Sequence, residues 1–366
     1  MGLIKSGFIF SVFVLLLGFQ AAAYRDSLAI KADYQTAFNR LNTMLEKHDY
    51  NFKDAVYAVE NAYFGGGISY PAYDAEIKKL AGLARSVLAA NPINYHFKDS
   101  ATVGIYAAIF RLMTDSVALA TVDGKILYHQ PYRYNFSDFD GSTNWADMFV
   151  ATLLETHKGN CHSMPYLYKM IAHELGAKAW LSLAPNHIYL KLLSEQDGWY
   201  NTELTSGQFP IDAWVMASGY VHLNAIQNGI YMDTIGDRQS IAMCLVDLAQ
   251  GYEVLKGLGT DSFMLQCCIT ALKYFPDHIN ALLLQSKVYE RQFSSNMKAS
   301  GITDFKAYIA RDTNAKADYV RMNDLVTKIH RLGYRRMPVK MYLEWLAELK
   351  SQQNKYSNKK ITNFTE

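Results

Sequence analysis

The sequence lacks a surplus of charge of either sign, with 36 Lys and Arg against 34 Asp and Glu among 366 residues. A protein that binds nucleic acid along its phosphates usually carries a basic excess, so this balance gives no reason to expect nucleic acid as a partner. The chain is not polar enough to be disordered either, because half of its residues are hydrophobic. It is long enough for two or three domains with a substantial core.

Cysteine is also scarce, and the spacings of Cys161, Cys244, Cys267 and Cys268 resemble neither a zinc ribbon nor a disulfide framework. The last three lie on the apolar faces of helical patterns, where cysteine acts as a small buried hydrophobe. Cys161 differs because it lies in a Gly-Asn turn just before a helical pattern. We therefore expect Cys161 to be the cysteine that takes part in chemistry.

Long hydrophobic runs are confined to the N-terminus. Lys5 precedes an apolar stretch from Phe8 to Phe19, and small residues follow at Ala21-Ala22-Ala23. This order is typical of a cleaved signal peptide, here residues 1–23. An uncleaved membrane anchor is the alternative, but the stretch is short for a span of ~20 residues. We expect the mature protein to be exported, to the periplasm or outside the cell, and not to span a membrane.

Hydrophobic periodicity divides the rest of the chain into regions. Residues 24–115 follow helical spacing, and residues 116–238 mix helical with β-type patterns. Residues 239–352 are helical again, and one segment around residues 271–283 has the cadence of a tetratricopeptide repeat. Residues 353–366 form a polar tail. The sequence thus predicts an α+β protein in which helical regions flank a core with a small antiparallel sheet.

The middle region contains one helix followed by three strands. Residues 164–175 repeat apolar side chains at helical spacing, and Gly176 suits the C-terminal cap. β-type runs follow at residues 179–183, 187–193 and 199–204. Because short connections join these runs, we expect an antiparallel meander after the helix.

Cys161 opens this helix, directly after Gly159 and Asn160. The N-terminus of a helix presents unpaired N–H groups and a partial positive charge, and both stabilise a thiolate. The same N–H groups are candidate donors to the oxyanion of a tetrahedral intermediate. Pro165 is tolerated in the first turn, because the first N–H groups have no partner within the helix. The position therefore favours a nucleophilic cysteine.

His187 is the candidate base. Side chains alternate along a strand, so His187 shares a face of the predicted sheet with Asn201 and Glu203 on the next strand. Either residue could orient the imidazole by accepting its N–H. Glu203 is the first choice, because a short connection centred on Glu195 sets it directly opposite His187, and Asn201 is the second.

Three more histidines, His157, His162 and His173, lie near Cys161 in the sequence. No pair of them has a compact ligand spacing such as His-x-x-x-His on one helix face, so neither a metal nor another cofactor is expected. The aromatic residues between 132 and 145 either line a substrate groove or pack a long loop, and packing is the commoner role.

The cysteine and histidine segments resemble the transglutaminase-like superfamily, and a bacterial branch of it in particular. The likeness covers about residues 145–210 and rests on the Gly-Asn-Cys start, the Pro-x-His strand and an acidic residue after an aromatic. It implies a papain-like core in which Cys161 is the nucleophile, His187 the base and Glu203 the acidic member. The departure is Glu where the family has Asp. The C-terminal helices separately resemble tetratricopeptide repeats.

The resemblance implies an exported, cysteine-dependent acyl-transfer enzyme that acts on a peptide or protein, as a peptidase or amidase rather than a protein cross-linker. The alternative is a scaffold in which the transglutaminase-like core does not turn over and the helical C-terminus binds a partner protein. Repeat arrays bind through concave surfaces. One clear unit is fewer than a separate array needs, so these helices have a simpler possible role as a support for the core.

Overall fold

A computed structural model of the protein describes residues 26–120, 125–257, 262–338 and 340–341. The predicted signal peptide and the predicted polar tail lie outside these residues. Over the described residues the protein combines helices with small sheets, which confirms the α+β class.

The helices and strands are named here in chain order. They are α1 (Ser27–Glu46), α2 (Phe52–Tyr63), α3 (Tyr70–Ala90), α4 (Ser100–Thr114), β1 (Val117–Ala120), β2 (Ile126–His129), β3 (Arg133–Tyr134), a 3₁₀ turn (Trp145–Met148), α5 (Val150–Thr156), β4 (Lys158–Gly159), α6 (Ser163–Glu174), β5 (Trp180–Ala184), β6 (His187–Ser194), β7 (Gly198–Thr202), α7 (Asp212–Ser218), α8 (Leu223–Gln227), α9 (Asp237–Lys256), α10 (Phe263–Tyr274), α11 (Ile279–Ala299), α12 (Phe305–Arg311) and α13 (Thr313–Arg331).

The chain divides into two compact units. The first contains residues 68–220, and the second joins residues 26–67 to residues 221–336. The predicted helical region 24–115 is therefore divided, since α1 and α2 belong to the second unit and α3 and α4 to the first. The division follows the glycines of residues 65–67, where two of the three have positive φ. Helical spacing alone does not reveal which partner a helix chooses.

α6 is the central helix of the first unit. It packs against α3, α4 and α5 and against strands β5 and β6. Leu167 and Ile171, four residues apart, are fully buried, as the helical spacing predicts. Gly176 follows the helix with a φ of 75°, the left-handed conformation that glycine adopts at a helix C-terminus. The predicted helix over residues 164–175 is confirmed to within one residue at each end.

Strands β5, β6 and β7 form an antiparallel sheet in that order, which confirms the predicted meander. A two-residue turn joins β5 to β6, because Ala184 pairs with His187. Three residues join β6 to β7, because Ser194 pairs with Gly198. Elsewhere in this unit β1 pairs with β2, and β3 runs parallel to β4 immediately before Cys161.

The described part of the second unit is helical. α1 and α2 pack against each other and against α9, while α10 packs against α9 and α11, and α11 against α13. Cys244, Cys267 and Cys268 are fully buried in this unit, and all four cysteines of the protein are thiols rather than disulfides. The tetratricopeptide character of these helices stays a prediction.

None of the helices in the described ranges has both the length and the apolar character needed to cross a bilayer.

Candidate active site

The turn that carries Cys161 is capped by the residue before it. Asn160 is fully buried, and its side-chain oxygen accepts hydrogen bonds from the backbone N–H groups of His162 (3.0 Å) and Ser163 (3.1 Å). Its backbone oxygen accepts from Met164 N at 3.2 Å. Asn160 therefore caps the turn before α6, and half-buried Cys161 lies in that turn, two residues before the helix begins.

Hydrogen bonds to the 3₁₀ turn also fix the turn that carries Cys161. The Asn160 side-chain amide donates to the backbone oxygen of Asp147 at 3.2 Å, and His162 Nδ1 donates to that of Met148 at 2.9 Å. A Cβ on Gly159 would lie 2.6 Å from Leu153 Cδ1, closer than carbon atoms pack. Each residue of the Gly-Asn-Cys segment thus has its own physical role.

The predicted oxyanion donors are only partly available. The N–H groups of His162 and Ser163 already donate to the Asn160 side chain. The backbone N–H of Cys161 is the remaining candidate from this turn for the predicted contribution to an oxyanion hole.

The hairpin between β5 and β6 brings His187 to the thiol. Pro185 and Asn186 form its turn, and Asn186 has a φ of 56°, as the second central residue of a type II turn requires. Cys161 Sγ lies 3.9 Å from the backbone oxygen of Asn186. The next residue is His187, whose imidazole lies near enough to the Cys161 side chain for that side chain to influence its pKa.

Glu203 binds Nε2 of the same imidazole. His187 Nε2 donates to Glu203 Oε2, because an ionised carboxylate only accepts. This bond places a proton on Nε2, so any proton exchange with the thiol has to use Nδ1. The two side chains are only 15% and 8% exposed, so water screens their interaction weakly.

The two partners shift each other's protonation. Burial alone would lower the pKa of His187, but the Glu203 charge, the nearby Cys161 side chain and the hydrogen bond that His187 donates to Glu203 raise that pKa well above its ordinary value. Burial acts to raise the pKa of Glu203, yet the His187 charge and hydrogen bonds from His187 and Thr205 lower it. Both effects favour an imidazolium beside a carboxylate.

The register between β6 and β7 differs from the predicted register by two residues. The connection between β6 and β7 is centred on Gln196, not Glu195, and Leu190 pairs with Thr202. Continuing that register sets Glu203 level with Tyr189 rather than His187. The shared face is as predicted, since a shift of two residues keeps side chains on the same side, but the acid reaches the base diagonally.

Asn201 has a different role from the predicted one. Its side-chain amide donates to the backbone oxygen of Pro210 at 3.0 Å and to Asp212 Oδ1 at 2.8 Å. It lies across from Lys191, whose ammonium is 3.5 Å from the same Asp212 oxygen. Asn201 thus fastens the segment before α7 to the sheet, and of the two predicted acceptors Glu203 is the one that the structure brings to His187.

Thr205 is a site residue that sequence reasoning missed. Its backbone N–H and its hydroxyl both donate to Glu203 Oε1, at 2.9 Å and 2.7 Å. The available signal was a hydroxyl residue two positions after the acid, a spacing at which side chains and local backbone often hydrogen-bond.

The remaining histidines take structural positions. His157 has a φ of 54°, donates through Nδ1 to the Gln130 backbone oxygen at 3.2 Å and stacks on Tyr132 at 4.8 Å. His173 is exposed near the end of α6. Within the described residues, no three His, Cys, Asp or Glu side chains are grouped so as to hold a metal ion.

No protein-family model, curated protein or solved structure matches this chain.

Proposed function

We propose that the protein is a cysteine-dependent acyl-transfer enzyme with Cys161 as nucleophile, His187 as acid–base and Glu203 as the residue that orients His187. The observation that carries this proposal is the buried imidazole–carboxylate bond of His187 and Glu203, next to a thiol that lies 3.9 Å from the backbone oxygen of the residue before His187. A buried, charged pair next to a half-exposed thiol is costly for a purely structural role, and it is the arrangement that activates a nucleophile.

The reaction follows from these positions. The Cys161 thiolate attacks the carbonyl carbon of an amide, forming a C–S bond while the carbonyl electrons move to oxygen. Collapse of this intermediate breaks the C–N bond, and His187 gives the leaving amine its proton. Water then attacks the thioester, loses its proton to His187 and expels the thiolate. The sum is amide plus water to acid plus amine, with the enzyme regenerated.

The helix-then-meander order supports membership of the transglutaminase-like superfamily with its papain-like core. In this proposal Cys161 opens the helix, His187 begins the middle strand and Glu203 follows the third strand, in the chain order of that superfamily. The substrate is a peptide or protein, and hydrolysis is the expected outcome for an exported member. The N-terminal sequence supports export to the periplasm or beyond the cell.

Cysteine labelling over a pH series tests the proposal without a known substrate. Iodoacetamide should modify Cys161 in the wild type well below the pH at which an ordinary thiol ionises, because the His187 imidazolium stabilises the thiolate. C161A should abolish this labelling, whereas C244A is the control at a buried thiol. H187A should shift labelling to alkaline pH.

Labelling of wild-type Cys161 only at alkaline pH, unchanged in H187A, would contradict the enzyme and favour the scaffold that binds a partner through its C-terminal helices.

A further inference from the structure

The Glu203 carboxylate is held by its own loop. Glu203 and Gln208 exchange two backbone hydrogen bonds, of 2.8 Å and 3.0 Å, and so close a short loop after β7. Thr205 lies inside this loop, and both of its donors converge on Glu203 Oε1. The other carboxylate oxygen, Oε2, is bonded to His187. The two oxygens of the buried carboxylate therefore have different partners, Thr205 for Oε1 and His187 for Oε2.

A glutamate needs such support more than an aspartate does. Its side chain has one more rotatable bond, and rotamer freedom has to be removed before the carboxylate can point in one direction. The acid is also buried, where an ionised carboxylate is costly unless hydrogen bonds satisfy it. Two donors on Oε1 meet both needs, because they restrict rotation and stabilise the charge.

We propose that Thr205 is a positioning residue of the catalytic relay, acting through Glu203 to keep its carboxylate ionised and aimed at His187. The inference rests on the proposed function and adds a fourth member to it. Thr205 acts at a distance from the reacting atoms, since the imidazole and the carboxylate lie between it and the thiol.

The test compares T205V and T205A with T205S, which retains the hydroxyl, and with S206A, which removes the neighbouring hydroxyl of the same loop. Iodoacetamide labelling of Cys161 is measured from acid to alkaline pH in each full-length variant, and circular dichroism checks that each is folded. Carbon-13 NMR of labelled glutamate reports the protonation of Glu203 directly, with E203Q identifying its signal.

The acid limb of labelling is the pH range in which Cys161 labelling first rises from its low value in acid. T205V and T205A should move this limb upward by about one pH unit, and the Glu203 titration by the same amount, because one hydrogen bond to a charged group is lost. T205S and S206A should resemble the wild type. An acid limb and a Glu203 titration that are unchanged in both T205V and T205A would overturn the proposal.

The two proposals fail in different ways. If the wild-type thiol labels like an ordinary cysteine, the proposed function fails, and the Glu203 titration alone then decides the role of Thr205. A titration that moves in T205V and T205A but not in T205S supports the positioning role, and one that does not move refutes it.

Discussion

Glu203 lies level with Tyr189 across the two strands, as the register of β6 and β7 sets it, so its carboxylate reaches along the strand to meet the imidazole of His187. The additional methylene of glutamate provides this reach. The choice of glutamate rather than aspartate at position 203 thus has a geometric reason at the level of one residue. Side-chain length and side-chain charge at position 203 should therefore have separable effects.

Removing the charge at position 203 tests its electrostatic role. In E203Q the side chain keeps its length but no longer favours the imidazolium, so the pKa of His187 should fall. The imidazolium then loses its proton at lower pH, and the His187 titration, followed by NMR of its ring protons, should move down by at least ~1 pH unit. An unchanged His187 titration would show that Glu203 does not raise the pKa of His187.

Shortening the same side chain tests the geometric role. E203D keeps the charge but cannot reach His187 and the Thr205 donors together from its position beside Tyr189. We expect the His187 titration to move in the same direction as in E203Q, by a smaller amount. A His187 titration in E203D that matches the wild type would show that length at this position is unimportant.

At the scale of elements, the site depends on two tight connections. The turn before α6 needs Gly159, because Leu153 Cδ1, Ser163 Oγ and Met164 Cγ leave no space for a Cβ. The β5–β6 turn needs a residue that tolerates positive φ, and Asn186 does so. Both connections place a reactive side chain one or two positions later, so strain in either displaces the thiol or the imidazole.

Substitution of Gly159 should therefore cost both stability and reactivity. G159A places a methyl group 2.6 Å from Leu153 Cδ1 and 2.8 Å from Ser163 Oγ, and such overpacking costs about 1–3 kcal/mol. G82A is the matched control, since its Cβ meets nothing within 4 Å inside α3. That variant should gain about 0.5–1 kcal/mol, because alanine favours a helix interior over glycine.

Urea unfolding of both variants and Cys161 labelling at neutral pH provide the measurements. A G159A protein as stable and as reactive as the wild type would show that the turn can accommodate a Cβ at position 159, contrary to this prediction.

At the scale of the whole molecule, the two units respond to acid through different histidines. In the second unit His278 is 2% exposed, and burial lowers its pKa to about 4. It stacks on Phe275 at 4.8 Å. In the first unit burial lowers the pKa of His129 to about 4 as well, but the pKa of His187 is raised. Burial is common to all three, and the difference arises because His187 has an ionised partner in hydrogen-bond contact.

Acid should therefore destabilise the second unit through His278. The unfolded chain takes up a proton near pH 6.5, whereas the folded protein resists it until about pH 4. The contribution of neutral His278 to the free energy of unfolding is therefore present in full above pH 6.5. It is lost as the pH drops toward 4, which lowers that free energy by up to about 3 kcal/mol. H278F should flatten this dependence, and H330F, at an exposed histidine of α13, should not.

Denaturant unfolding at several pH values between 7.5 and 4 gives the free energy of unfolding for each variant. Equal slopes for H278F and the wild type in this range would refute the assignment to His278.

The local sequence pattern was sufficient to predict the helix and the strands that carry the site residues. The period of the apolar residues located α6, and the alternation along β6 and β7 put His187 and Glu203 on one face. The choice between Asn201 and Glu203 needed the register, which depends on where the connecting turn is centred. A one-residue change in that centre moves every cross-strand pair by two positions, and no local signal distinguishes Glu195 from Gln196 as the centre.

The sequence by itself determined the α+β class, the helix that follows Cys161, the meander after it and the side on which His187 lies, because each follows from spacing within a few residues. Only the tertiary structure decided that α1 and α2 join the C-terminal helices, that the 3₁₀ turn fixes the turn before α6, and that Glu203 rather than Asn201 meets His187. These features depend on hydrogen bonds and packing between groups whose separation in space is not set by their separation along the chain.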